Sequence, residues 1–360
     1  MKKIVVLFTA LLILIGLGYP AGAGTAAAAA APSYTEISTF VDGKLIILPS
    51  KTILVKGSSY VPVKLLSQIP GFTAASAASG VTVTGSRGSA VLNKDNSVLY
   101  RNSNYVAFKT LLKLGAIDGK YASSATSLFI WSTDEGKTKS NSMLYAISKL
   151  PGTMGYAVGK KVHMAGTPGS FWVTDVIYTE GLALTFTLQD EKGGEWTYDV
   201  EHDYGTEDYI YTAEFLQALK EFFNGRPVWA VNSEIPDSPF KNMEKASVQD
   251  FRSNPHNGNL EMIIRRANGQ DIYIKLPTDG SAAEYITDLF FFEDPRKVAS
   301  ISDKVWAAIR EEQVIVGMKP DEVYLAWGEP DSINETLGYI VYGNVYFYFI
   351  NNKVKYIYEL

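Results

Sequence analysis

The chain has 360 residues, 46% hydrophobic and 20% charged, with a formal net charge of −5 and no cysteine. Without cysteine there is no disulfide, no lipobox anchor and no thiol nucleophile, so the cores must hold the fold. The acidic balance disfavours nucleic acid or an anionic membrane surface as partner, and the length predicts about two to four domains.

The N-terminus reads as an export signal over residues 1–23. Lys2 and Lys3 precede the apolar run Ile4 to Leu17, Gly18-Tyr19-Pro20 breaks it, and Ala21-Gly22-Ala23 fits a cleavage site. The run is shorter than the roughly 20 residues that cross a bilayer. The rival reading is an uncleaved anchor lengthened by Ala26 to Ala31, against which Pro20 and the glycines stand. After cleavage, 31 basic and 38 acidic side chains remain, net −7, and no second hydrophobic span follows. Residues 24–34 are rich in Ala, Gly and Ser and read as a disordered leader. Leu276-Pro277-Thr278-Asp279-Gly280 lacks both the threonine position and the apolar tail of a wall-sorting signal.

Residues 35–132 carry an internal repeat. Ser58-Ser59-Tyr60-Val61-Pro62-Val63-Lys64-Leu65-Leu66 returns 45 residues later as Ser103-Asn104-Tyr105-Val106-Ala107-Phe108-Lys109-Thr110-Leu111. Such a period predicts one supersecondary unit used twice, each copy covering the other's apolar face. Asp42-Gly43 between Ile37 to Val41 and Leu45 to Leu48 predicts a hairpin. Helices are expected from Val61 to Ile69, with Pro62 in the first turn, and from Val106 to Leu114. Val81 to Thr84 and Ser89 to Leu92 read as a strand pair, and Leu128 to Trp131 as the closing strand.

Tyr60-Val61-Pro62-Val63-Lys64 and its echo Tyr105-Val106-Ala107-Phe108-Lys109, set among these strands, resemble the copper amine oxidase N-terminal-like domain. This is a small stalk domain of secreted and surface proteins of Gram-positive bacteria. Lys64 stands where that family has Arg, Gln68 where it has Glu, and Ala107 replaces the second Pro. The oxidase activity is not implied. Its catalytic domain needs three copper-binding histidines and a tyrosine in T-x-x-N-Y-D/E. Here His163, His202 and His256 are no closer than 39 residues, and around Asn104-Tyr105 the motif's Thr position holds Arg101 and its Asp/Glu position holds Val106.

Residues 133–143 are polar and read as a linker. Residues 144–224 hold three expected strands, Trp172 to Tyr178, Ala183 to Leu188 and Glu195 to Val200, and an amphipathic helix, Tyr211 to Phe223. Residues 225–300 repeat the pattern with Val228 to Val231, Ala246 to Phe251, Asn259 to Ile264 and Asp271 to Leu276, the last two joined by Asn268-Gly269. Short strands at this spacing suggest two tandem SH3-like modules.

Residues 301–360 open with a helix capped at Ser302-Asp303. There follows Gly317-Met318-Lys319-Pro320-Asp321-Glu322-Val323-Tyr324-Leu325-Ala326-Trp327-Gly328-Glu329-Pro330, with Pro320 at a helix start and Gly328 at its stop. Strands are expected at Gly338 to Tyr342, Val345 to Ile350 and Lys353 to Glu359. The G-M-x-x-x-E-V-x-x-x-x-G-x-P pattern resembles the SmpA/OmlA (BamE-like) module, a small binding or scaffold domain of the cell envelope. The family's lipidated cysteine is missing, so the resemblance implies fold and general role, not the particular partner. The expected fold class is therefore α+β and multidomain: a duplicated stalk-like domain, a β-rich middle, and a C-terminal helix-helix-three-stranded antiparallel sheet module.

The densest polar cluster is Asp199, Glu201, His202, Asp203, Glu207 and Asp208, which could hold Ca²⁺ but lacks EF-hand spacing and reads more simply as a solvated loop. On the C-terminal strands, alternation sends Phe347 and Phe349 inward and Tyr346 and Tyr348 to the open face. With Tyr356 and Tyr358 these form the expected binding surface, against a plainer reading of cross-strand packing. No nucleophile elbow, zincin, dinucleotide or P-loop motif occurs. No catalytic, cofactor-binding or metal residues are assigned. The expectation is an exported non-enzymatic protein that binds envelope or extracellular proteins or wall polymers. The alternative is a secreted glycan hydrolase using a carboxylate pair in the middle region, which spacing alone does not identify.

Overall fold

The protein is described by a computed structural model covering residues 34–360 apart from 79, 151–153, 180–183, 201–208, 236–238 and 279–280. The segment expected to be an export signal, residues 1–23, and residues 24–33 of the expected leader lie outside the described residues. The chain is mixed α/β and β-rich, built from several small sheets. It divides into two compact units, one ending at Glu214 and the other starting at Phe215. No helix among the described residues is long and apolar enough to cross a membrane.

The first unit opens with β1 (Thr35–Val41), β2 (Lys44–Leu45), β3 (Thr52–Val55) and β4 (Ser58–Pro62). A three-stranded sheet of β5 (Thr73–Ala77), β6 (Gly80–Gly85) and β7 (Gly88–Val91) follows, then β8 (Ser97–Tyr100), β9 (Ser103–Ala107), α1 (Phe108–Leu114), β10 (Asp118–Ala122) and β11 (Ser127–Trp131). The larger sheet runs β10-β11-β1-β3-β4-β9-β8, with β2 beside β1.

The repeat explains its centre. β4 and β9 are the two copies, and they pair antiparallel with Val61 opposite its own counterpart Val106. Each copy is fed by a tight hairpin whose two turn residues have positive φ, Lys56-Gly57 and Arg101-Asn102. The copies thus relate by a local two-fold through the Val61–Val106 pair. The helical segments begin later than the sequence suggests. Val61 and Pro62 belong to β4 and Val106 to β9, and the turns that follow are a 3-10 helix at Val63–Gln68 and α1. Pro62 (φ −62°, ψ 136°) and Ala107 (φ −59°, ψ 130°) hold extended geometry at the same point. The φ that proline fixes suits a helix start and a strand end alike; pairing across the two-fold decides for the strand.

Residues 133–143, expected as a linker, are helical. α2 (Asp134–Ile147) starts at Thr133, whose side chain accepts the Gly136 N–H, with Asp134 and Glu135 in the first turn. It buries Gly136, Ser140, Met143, Ala146 and Ile147. Two of those five are small and non-hydrophobic, so the stripe leaves little apolar periodicity to read. Gly136 is small for a reason. The Asp42 carboxylate accepts the Ser132 N–H and hydroxyl, both at 2.7 Å, and lies where a β-carbon on Gly136 would be. Gly136→Ala is expected to destabilise by about 1–3 kcal/mol through overpacking, although Gly→Ala inside an open helix gains about 1 kcal/mol. A raised melting temperature would contradict this contact.

β12 (Lys161–Met164), β13 (Thr167–Tyr178), β14 (Leu184–Asp190), β15 (Glu195–Val200) and β16 (Ile210–Thr212) form a five-stranded sheet ordered β15-β14-β13-β12-β16. Its core joins Val162, Phe171, Val173, Phe186 and Leu188 to Met143 of α2 and to Phe40 and Phe129, whose rings stack 4.6 Å apart across β1 and β11. The helix expected at Tyr211 to Phe223 is α3 (Ala213–Phe223), since Tyr211 and Thr212 pair with β12.

The second unit holds β17 (Pro227–Ala230), β18 (Lys245–Ser253), β19 (Leu260–Arg266), β20 (Asp271–Lys275), α4 (Ala282–Leu289), β21 (Phe290–Phe291) and α5 (Pro295–Val298). Its sheet order, β20-β19-β18-β17-β21, repeats that of the first unit: four meandering strands, with a fifth returning to the first. In both sheets the second strand shifts register one residue before an aspartate, at Val173/Asp175 and at Val248/Asp250.

The chain closes with α6 (Asp303–Arg310), α7 (Pro320–Trp327) and an antiparallel sheet of β22 (Ser332–Asn334), β23 (Tyr339–Tyr342), β24 (Val345–Ile350) and β25 (Lys353–Glu359), in that order. The sheet has four strands where three were expected. The fourth, β22, carries Ser332 and Asn334 around one apolar residue and gives no alternation to detect. Pro320 opens α7, the Lys319 N–H donates to the Glu322 carboxylate at 2.7 Å, and Gly328 ends the helix at φ +76°. Met318, Val323, Ala326, Ile309, Phe347 and Val354 form the core beneath the sheet.

A tyrosine face on the C-terminal sheet

Register fixes which side each residue of this sheet takes. Phe347 pairs with Ile340 and Ile357, and is fully buried against Trp327, ring to ring at 5.2 Å. Phe349 packs half-buried on the same core. Tyr342 also turns inward: its hydroxyl donates to the Gly328 carbonyl at 2.6 Å, and burial pushes its pKa up. Trp327 in turn donates its indole N–H to the Glu312 carbonyl at 2.7 Å. These bonds tie the helix pair to the inner face.

The other face gathers five tyrosines. Tyr339 stands opposite Tyr348, Tyr348 opposite Tyr356, and Tyr346 opposite Tyr358. Ring centroids lie 5.2 Å apart for Tyr339–Tyr348, 5.6 Å for Tyr339–Tyr346 and 5.5 Å for Tyr348–Tyr358. Val341, between them, is covered. Tyr346 and Tyr348 are half-buried by their neighbours, while Tyr356 and Tyr358 keep 48% and 52% of their surface exposed. All four residues of the expected surface thus share one face, and Tyr339 joins them. A one-residue register shift between Tyr348 and Phe349, with Lys355 as the extra residue, sets the face off from Phe349 and Val354.

Chemically this is an aromatic surface of mutually tilted rings edged with hydroxyls. Tyrosine offers large contact area with few rotatable bonds, so ordering it on binding costs little. Contact between neighbouring rings already restrains the rotamers.

The acidic cluster is only partly in view. Asp199 lies on β15 and accepts the Thr185 hydroxyl at 3.0 Å, while Glu201, His202, Asp203, Glu207 and Asp208 lie outside the described residues. His163 hydrogen-bonds the Gly169 carbonyl at 3.0 Å and stacks on Tyr211; burial lowers its pKa.

Sequence reasoning missed a buried lysine. Lys160 is 2% exposed in the first unit. Its ammonium donates to the Ser38 hydroxyl at 3.3 Å and lies 5.6 Å from the Tyr156 ring centre, while Ser38 donates to the Gly159 carbonyl at 2.7 Å. The nearby Glu214 carboxylate is engaged by Lys51 at 2.8 Å. Desolvation lowers the Lys160 pKa to about 8, partly opposed by Glu214. A serine beside a low-pKa amine is a nucleophile–base pairing in some hydrolases. Here Ser38 spends its proton on a carbonyl and both groups are buried, so the pair is built as structure. Nothing in Val158-Gly159-Lys160-Lys161 marks which lysine goes inside.

No family model matches the chain, and neither a curated protein nor a solved structure matches it.

Proposed function

We propose that this is an exported, non-enzymatic binding or scaffold protein of the bacterial surface or secretions, which engages an envelope protein or wall polymer through the tyrosine face of its C-terminal sheet. The observation that carries the reading is that face: five adjoining tyrosines on one side of a sheet whose other side is packed on helices. Exposed aromatic surface of this kind suits a partner-binding site. The helix-helix-sheet order supports the BamE-like resemblance, and the four-strand meander with a returning fifth strand, present twice, supports the SH3-like reading of the middle. The paired copies at Val61 and Val106 suit a duplicated stalk-like unit. The recess bordered by Ser38, Lys51 and Trp172 has no carboxylate in its lining, so the hydrolase alternative gains no support there.

Fractionation of expressing cells tests the compartment. The mature chain is expected outside the cytoplasmic membrane, with Gly24 as its first residue by intact-mass spectrometry. Full-length chain confined to the cytoplasm would contradict the reading.

A further inference from the structure

Among the described residues nothing pairs with the outer edge of β25 beyond Val354, and the chemistry of that edge matches itself. The Leu360 N–H donates to the Asn344 carbonyl at 2.9 Å, continuing the pairs Tyr358–Tyr346 and Tyr356–Tyr348. Backbone groups alternate in direction along a strand, so Tyr356 and Tyr358 bond to β24, while Ile357 and Glu359 aim theirs outward. Val354 also points outward, but there the edge is taken. Its N–H donates to the Met318 carbonyl at 2.7 Å and its carbonyl accepts the Gly317 N–H at 2.9 Å. The uncovered stretch therefore begins at Lys355, and residues 355–360 are exposed. Ile357, an apolar residue at its middle, is 41% exposed.

We propose that two copies of this chain pair antiparallel through this edge, about a two-fold axis at Ile357. This register puts the outward backbone groups of Ile357 against those of Ile357 of the partner subunit. Two residues to either side, Lys355 meets Glu359 of the partner subunit, so each copy supplies both signs. Opposite charges directly across strands stabilise the pairing and like charges oppose it. Tyr356 falls opposite Tyr358 of the partner subunit, which joins the two tyrosine faces on one side of a continuous sheet. The contact is isologous and closes after two copies. The Gly317–Met318 bridge to Val354 and the extra residue at Lys355 keep it from running further along the edge. Charge complementarity selects a second copy as occupant: a β-strand of unrelated sequence satisfies the backbone but not the Lys355–Glu359 exchange.

The pairing does not depend on what the tyrosine face binds. Sedimentation velocity on the mature chain tests it, with circular dichroism confirming that each variant stays folded. Wild type is expected to show concentration-dependent dimerisation in the micromolar range, since so short an edge makes a small interface. Lys355→Glu and Glu359→Lys are each expected to weaken the dimer at least ~10-fold, because each places like charges face to face. The double variant, with the signs exchanged, is expected to return to within ~3-fold of wild type. Wild type that stays monomeric at ~200 μM overturns the proposal, including the case in which the monomer takes up an unrelated strand peptide instead. A dimer indifferent to either reversal, or not rescued by the double exchange, overturns it too.

Discussion

Lys160→Met is expected to stabilise the protein at pH 7 by about 2–3 kcal/mol and to remove a rise in stability between pH 8 and 10.5. Lys160 is buried beside a neutral serine and an aromatic ring, and Glu214, which partly opposes the burial, gives one carboxylate oxygen to Lys51. Its pKa falls to about 8 from an ordinary 10.5. Between those values the unfolded chain binds more protons than the folded one, so stability climbs with pH. Below pH 8 both states are charged and the folded state carries the whole penalty, which at about 1.4 kcal/mol per pKa unit comes to roughly 3 kcal/mol. Methionine has similar length and no charge to desolvate, and Ser38 keeps its bond to Gly159. Denaturant titrations across pH 7 to 11 check both parts. A less stable variant with an unchanged pH slope would mean that the lysine is paired in a way this account omits.

Asn242→Ala is expected to cost about 2–4 kcal/mol, more than its few lost atoms explain. Asn242 is 3% exposed and uses both ends of its amide. The nitrogen donates to the carbonyls of Ile309 at 2.9 Å and Leu325 at 2.7 Å, in the last turns of α6 and α7, and the oxygen accepts the Asn232 N–H at 3.2 Å. Helix ends leave carbonyls without partners inside the helix; Asn242 serves that of Leu325, and it shares that of Ile309 with the Glu312 N–H at 3.0 Å. Each bond contributes about 1 kcal/mol net, and a buried group left unpaired costs more. Asn242→Leu, which refills the volume, is expected to rescue little. If Leu restores wild-type stability, packing rather than polar satisfaction holds the site.

Both residues show why part of this fold escapes a sequence reading. Lys160 and Asn242 are polar types that usually face solvent, and only their neighbours bring them inside. Thr133 to Ile147 looks like a polar connector because its buried stripe is built on Gly136 and Ser140. β22 is too short and polar to alternate. Where local chemistry dictates geometry, the sequence is legible. Asn268-Gly269 turns between β19 and β20 with Gly269 at φ +86°, and Ser89 to Val91 pairs with Thr82 to Thr84. The 45-residue period named the two strands that meet at Val61 and Val106, although not that they are strands. At the candidate site, alternation alone separates Phe347 from Tyr346 and Tyr348. Alternation along β23 also puts Tyr342 on the side of Ile340 and Tyr339 opposite, but it does not foretell that the Tyr342 hydroxyl caps the end of α7.

The most direct test of the tyrosine face is a pull-down from cell-envelope extract with two baits, residues 24–360 and the same chain carrying Tyr356→Ser and Tyr358→Ser. Both substituted side chains are about half exposed and make cross-strand ring contacts, so the variant is expected to stay folded at a cost of about 1–2 kcal/mol. With captured material quantified by mass spectrometry, the account predicts a partner enriched by the parent and lost from the folded variant. Equal capture by both baits, or enrichment by neither, would contradict the assignment of binding to this face.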